Sequence, residues 1–169
     1  MTTIRQAEPN DADGIARVHV GAWKVAYKDL LPDEFLGRLR PDEWAARYHF
    51  GDAEQWKPST IVAIERDEIA GFSTIGPSRD ANDPEAGEIY AIYVDPTRWG
   101  VGVGHLLLAE SRQQLARRGH SEALLWVLLG NEQAQRFYVA DGWILDGGQR
   151  EENVWGVVAN VIRMRRPLP

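Results

Sequence analysis

The sequence predicts an α/β fold in the α+β sense, built on one mixed, mostly antiparallel sheet. Three observations predict it. The front third repeats apolar residues at three- and four-residue steps, the period of an amphipathic helix. From residue 59 onward the chain changes to short β-rich runs separated by turn residues. A strand–helix–strand unit over 88–129 stands at the centre, a crossover that favours a parallel neighbour, while hairpin links on either side favour antiparallel ones. The predicted order is β-αα-βββ-α-β-α-ββ, which gives about six to seven strands and about four helices.

Each element has its own signal. TTIRQAE (2–8) alternates weakly and reads as a first strand. Asn10 followed by Asp13 reads as a helix cap with an acidic first turn, and Ile15, Val18, Ala22 and Ala26 form the apolar stripe behind it. Trp23 and Tyr27, four apart, share an adjoining stripe. Leu31-Pro32 ends this helix, and Asp33 to Phe50 reads as one or two more, interrupted at Pro41. STIVAIE (59–65) and EIAGFSTIG (68–76) make a hairpin turning at Arg66-Asp67, and the polar segment 77–87 is a loop. In the strand EIYAIYV (88–94), strict alternation sends Glu88, Tyr90, Ile92 and Val94 to one face. Val103 to Arg118 is a helix with Leu107, Leu108, Ser111 and Leu115 on one side, closed by Gly119 as a left-handed cap. EALLWVLL (122–129) is a buried strand. Asn131 caps a short helix ending at Gly142, and 143–149 and 154–165 are the last two strands.

With 169 residues, 44% of them hydrophobic, the chain is expected to form one domain, 1–169. There are no cysteines, which excludes disulfides, thiolate metal sites and a cysteine nucleophile. The four histidines have no metal-ligand spacing, so no metal is expected. Seven tryptophans are expected to fill the core or line a cleft. The N-terminus has no signal-peptide character and no run is long enough to span a membrane, which makes a cytoplasmic location the expectation. The formal charge of −6 argues against a nucleic-acid partner, and Arg163, Arg165 and Arg166 read as the solvated face of a terminal strand.

Chemistry concentrates at DPTRWGVGVGHLLL (95–108), where glycines stand at 100, 102 and 104 between a strand and a helix. Such a loop either presents backbone N–H groups to an anion at a helix start or makes a tight, closely packed turn. It is not the dinucleotide GxGxxG, since the third glycine position is His105 or Leu107. It is not a Walker loop either, because no lysine followed by serine or threonine stands at the required place.

The segment resembles the Q/R-x-x-G-x-G/A signature of the GNAT superfamily of acetyl-CoA-dependent N-acetyltransferases, falling on Trp99 to Gly104 with tryptophan at the first position. IYVDP (92–96), NEQAQRFYVADGW (131–143) and the opening IRQAEPNDADGIARVHVGAWKVAY match the same family in order and spacing. The resemblance implies acetyl-CoA as cosubstrate, held by Trp99, Gly100, Val101, Gly102, Val103 and Gly104. It adds Ile92, Tyr93 and Val94 at the strand end, with Asn131 and Phe137 beyond them. It further implies Glu88 as general base and Tyr138 as general acid, with Trp23, Tyr27 and Tyr90 shaping the acceptor pocket. Each has a plainer alternative: Glu88 as a solvated strand-start residue, Tyr138, Trp23 and Tyr27 as core, and Asn131 as a helix cap. His105 reads as an exposed polar residue at a helix start. The implied acceptor is a small amine or amino-acid derivative, a cationic one suiting the acidic chain. Related proteins often dimerise. The competing function is a CoA-binding module without transfer activity.

Overall fold

The computed structural model describes residues 1–46, 48, 50, 57–154 and 156–169. The elements are β1 (Thr3–Gln6), α1 (Ala12–Ala26), α2 (Asp33–Gly37), α3 (Pro41–Ala45), β2 (Ser59–Glu65), β3 (Glu68–Pro77) and β4 (Gly87–Val94), then α4 (Val103–Arg117), β5 (Glu122–Leu128), α5 (Glu132–Ala140), β6 (Ile144–Val154) and β7 (Val157–Pro167). They build one seven-stranded sheet in the order β1-β2-β3-β4-β5-β7-β6. The β4–β5 pair is parallel and every other pair antiparallel. The predicted fold class, strand order along the chain and mixed sheet therefore stand, with three helices rather than two between β1 and β2. His49, Trp56, Trp155 and the end of the predicted 33–50 helical stretch lie outside or partly outside the described residues.

Helices cover both faces. On one side α4 presents Leu107, Leu108, Ser111 and Leu115, all fully buried as the periodicity predicts. Ser111 Oγ bonds Ser73 Oγ at 2.8 Å and the Leu107 carbonyl at 2.8 Å, so its polar atom is satisfied in the core. On the other side, α1 to α3 close an aromatic cluster over Phe72 and Tyr93. His19 sits in it, edge-on to Trp44 (4.3 Å between centroids), stacked on Tyr93 (4.9 Å), with Nδ1 2.6 Å from the Tyr48 hydroxyl.

Burial lowers the His19 pKa from 6.5 to about 3. The folded protein holds a neutral imidazole that the unfolded chain protonates near pH 6.5. This contribution to stability is complete above that pH and is lost as pH falls toward 3. Between pH 7 and 5 His19 should remove about 2 kcal/mol of stability. Asp11, Asp80, Asp95 and Asp146 have lowered pKa values, so their contributions are lost as pH falls from the usual carboxylate value toward the lower folded one, beneath this window. Urea unfolding of the parent and His19→Gln at the two pH values measures it. Equal pH dependence in both proteins would refute the assignment.

Several local expectations need correction. The residue that organises the α1 entry is Asp11, not Asn10. Its carboxylate accepts from Glu8 N–H at 2.7 Å and from Arg5 at 2.7 and 3.0 Å, in a 3-10 turn ahead of the helix. Val154 pairs with Val157 at the last hairpin, and Gly156, at φ +95°, donates its N–H to Asn153 Oδ1, so β6 runs through residues expected to lie between strands. The hydrophilic REEN segment hid an edge strand, where both faces tolerate polar side chains. Nor are Arg163, Arg165 and Arg166 a solvated face. Arg163 pairs with Asp80 and Asp146, each at 2.7 Å, and Arg165 with Asp83 at 2.5 Å and Glu122 at 2.9 Å. Arg166 pairs with Asp141 at 2.8 Å. Through Asp80 and Asp83 these pairs fasten the 77–87 loop to β7.

The strand alternation predicted for β4 also fails, for a reason that makes the site. Thr74 pairs with Ala91 but Ile75 pairs with Ile89, so Tyr90 is an extra residue in β4, a β-bulge. Beyond the bulge the faces exchange. Ile89 packs with Leu108 and Leu115 on the α4 side, and Ile92 lies on that side too. Glu88 and Tyr90 point to the α1 side, where a Cβ on Gly76, the partner of Glu88, would strike the Tyr90 hydroxyl at 2.5 Å.

Candidate active site

At the bulge β4 and β5 separate. Their ladder covers only Gly87–Ala123, Glu88–Leu124 and Ile89–Leu125. Asp95 N–H donates to the Ala70 carbonyl at 2.8 Å, which makes Gly71–Val94 a non-hydrogen-bonded pair. The backbone groups of Ile92 and Val94 therefore face away from β3 into the gap, whereas those of Tyr93 are spent on β3. Leu129 N–H donates to the Asn160 carbonyl at 2.9 Å, and the same logic turns the Trp126 and Leu128 groups of β5 into the gap from the other side.

A cavity of about 320 Å³ occupies the gap. Its walls come from β4 (89–94), β5 (125–128), Ala22 and Ala26 of α1 with Tyr27 just beyond it, Arg98 to Gly100 with Gly102, Gly104 and His105, and Gln133, Ala134, Phe137 and Tyr138 of α5 with Asn131 at its cap. The bulge and the α5 docking bring together side chains separated by more than a hundred residues of sequence.

The three glycines at one end serve two different purposes. Gly100 (φ +79°) and Gly102 (φ +97°) adopt left-handed backbone, and a Cβ on either would meet no protein atom within 4 Å. They create a bare, open cradle. Gly104 lies in α4, where a Cβ would stand 3.2 Å from the Phe137 ring, so its smallness lets α5 pack against α4. Gly102 is the α4 N-cap and no side chain caps the helix, leaving its first N–H groups directed at the cradle. Trp99 stays beside it because its indole N–H donates to the Val94 carbonyl at 2.8 Å. Arg98 reaches Glu68 with one nitrogen, at 2.5 Å, while its buried Nη1 has no hydrogen-bond partner among the described residues.

At the other end, Tyr138 is 8% exposed on α5. Burial, and secondarily Tyr93, pushes its phenol well above 10. Its hydroxyl makes no hydrogen bond to a described residue. Asn131 caps α5 as expected, its Oδ1 accepting from Ala134 N–H at 3.2 Å, and it also lines the cavity. Phe137 lies 4.9 Å from His105 and lines the cavity as well.

Other predicted residues land elsewhere. Trp23 is 5% exposed in the core between His19, Trp44 and Tyr27 and does not line the cavity. Tyr27 and Tyr90 do line it. The Tyr27 hydroxyl is 3.1 Å from that of Tyr93, and Tyr90 donates to the Pro77 carbonyl at 2.6 Å. Of the predicted cradle residues, Val101 is exposed and Val103 is buried at the start of α4, and neither lines the cavity. Glu88 is neither solvated nor on the cavity wall. It is fully buried, and its carboxylate accepts from Arg79 N–H at 2.8 Å and from the Arg79 guanidinium at 2.7 and 3.2 Å. His105 and Trp126 line the cavity without having been picked out; a hydrogen-bonding ring three residues past Gly102 was the signal available for the first.

The comparisons agree with this architecture. The model of the acetyltransferase (GNAT) family matches residues 23–143, and the chain belongs to that family. It is an acyltransferase by class. It is 31% identical over 136 residues to the uncharacterized N-acetyltransferase YuaI of Bacillus subtilis (strain 168), covering 78% of this chain and 74% of that protein. It is 40% identical over 142 residues to a mycothiol acetyltransferase of Mycobacteroides abscessus, covering 82% of this chain but 44% of that longer protein. Among solved structures, the PaiA N-acetyltransferase of Thermoplasma acidophilum in complex with coenzyme A superposes with a TM-score of 0.74 at 17% identity, over 99% of each chain. The yncA acetyltransferase of Salmonella typhimurium with acetyl-CoA gives 0.72 at 20% identity, over 100% of this chain and 95% of that one.

Proposed function

We propose that this protein, acting as one domain over 1–169, transfers an acetyl group from acetyl-CoA to a primary amine of a small molecule. The observation that carries the reading is the parted β4–β5 gap, with a backbone cradle at one end and a protonated phenol at the other. The cofactor's chemistry fits the residues present. Its pyrophosphate suits the open cradle at Gly100 and Gly102 and the unpaired Arg98 N–H, so a cation at 98 stands in for the usual one at 99. Its amide-bearing arm suits the free groups of Ile92 and the Val94 N–H; Trp99 has taken the Val94 carbonyl. Asn131 and Phe137 close the other wall.

In the reaction the amine nitrogen attacks the thioester carbonyl carbon, the C–N bond forms and the C–S bond breaks. A β4 amide N–H without a strand partner is available to the developing oxyanion. The departing thiolate takes the Tyr138 proton. The proton released by the amine passes to Glu88, and since Glu88 is off the cavity wall and clasped by Arg79, it receives that proton through water beside Tyr90.

The test is acetyl-CoA binding by calorimetry together with thiol release across a panel of amines. Binding with amine-dependent release is expected. Binding with amine-independent release would make the protein a CoA-binding module, and no binding would refute the reading altogether.

A further inference from the structure

The aromatic residues that begin the two parted strands each carry an arginine on the α1 side. Tyr90 starts the open part of β4, and the Arg79 guanidinium lies 3.9 Å from its ring centroid. Trp126 starts the open part of β5, and the Arg150 guanidinium lies 4.0 Å from its ring. Both residues line the cavity. A second guanidinium, Arg163, stands 5.6 Å from Trp126 but is committed to Asp80 and Asp146. Arg150 is more loosely held among the described residues. Its ion pair, to Glu152, is 3.5 Å long, the outer limit of a hydrogen bond. The Trp126 indole N–H, beneath it, is buried without a partner among the described residues.

The mouth of the cavity is thus rich in donors. Two carboxylates beside these arginines, Glu88 and Glu152, already face their guanidiniums. This is the reverse of what the acidic chain suggested for the acceptor, because net charge describes the whole surface and not this rim. A group that only accepts hydrogen bonds, is planar and is negatively charged satisfies a stacked guanidinium best, and a carboxylate is that group. Neighbouring guanidiniums also disfavour an ammonium and favour the neutral amine that attacks.

We propose that the acceptor is an α-amino acid, its carboxylate bound by Arg150 over Trp126 with Arg79 flanking, and its amine directed between Tyr90 and Trp126. This rests on the acyltransferase reading of the same cavity.

Two measurements separate the two claims. The first is kcat/KM with acetyl-CoA for free amino acids against their amides and decarboxylated amines, for instance phenylalanine, phenylalaninamide and phenethylamine, with methionine and glutamate sets beside them. At least one set should favour the carboxylate by about ten- to a hundredfold, and that ratio should collapse toward unity in Arg150→Met. CoA affinity of the variant serves as the check of its fold, with Arg79→Met as the second variant. A preference for the amide or amine in every set overturns the proposal while leaving acetyl transfer intact. The second is binding of the N-acetyl amino acids to the CoA-loaded protein, which needs no turnover. Binding weakened by Arg150→Met supports the carboxylate site even if no acceptor turns over, and its absence in the parent overturns it.

Discussion

Tyr138→Phe is expected to lower kcat by about 10²–10⁴-fold while acetyl-CoA affinity stays nearly unchanged. The substitution removes one oxygen from a side chain whose ring remains packed against Phe137 (5.2 Å) and Trp143 (6.2 Å). Its hydroxyl bonds no described residue, so no buried partner is stranded and the fold should persist. Burial pushes the phenol well above 10, which keeps its proton in place throughout the neutral range and denies it any role as a base. No alkaline loss of kcat below pH 10 should therefore trace to Tyr138. Glu88→Gln tests the other end of the proton path: an amide preserves an acceptor for Arg79 but cannot take up a proton, so kcat should fall at neutral pH with CoA affinity intact. Rapid-mixing or steady-state thiol release reads both. Turnover like the parent's in Tyr138→Phe would remove it as the acid, and the same result in Glu88→Gln would leave the glutamate a structural partner of Arg79.

What could be read from the sequence follows from which rules are local. The inward side of α4, the Gly119 cap, the Asn131 cap and the strand–helix–strand crossover depend on residues within one or two turns of each other, and all appear where the spacing puts them. The bulge at Tyr90 does not. It is set by a register change against β3, sixteen residues earlier in chain order at Thr74, and it reverses the face of Glu88 relative to Ile92. Alternation counts one residue per pleat and cannot see an inserted one. The guanidiniums over Tyr90 and Trp126 were hidden in the same way. Arg79 belongs to a polar loop and Arg150 to a hydrophilic edge strand, and only the sheet order carries them to the cavity mouth. Trp99 looked like a departure from the family signature. Its indole N–H bonds the Val94 carbonyl and so braces the loop, and the buried Arg98 Nη1 beside it has no partner among the described residues.

Gly102→Val and Gly104→Val are expected to fail in different ways, and the difference tests the cradle. At Gly102 a side chain has open space within the protein but φ +97°, a region a β-branched residue resists by about 1–3 kcal/mol. The loop must either hold that strain or move its N–H groups, and the new methyls enter space assigned to the pyrophosphate. Each charge-assisted bond so lost is worth about 1.5–3 kcal/mol, so acetyl-CoA affinity should fall by about a hundredfold or more, with a smaller loss in Gly102→Ala. The melting temperature should fall by no more than that strain allows, so the loss of affinity well beyond any loss of stability is the distinguishing result. At Gly104 the backbone is ordinary helix and the obstacle is the Phe137 ring, 3.2 Å from a Cβ. There overpacking forces α5 away from α4, and stability should fall by about 1–3 kcal/mol, affinity declining with it as the Phe137 wall shifts. Calorimetry against acetyl-CoA and thermal unfolding on the same samples separate the two. Undiminished affinity in Gly102→Val would mean that the anion is held elsewhere, and the unpaired nitrogen of Arg98 would then be a helper without a site to serve.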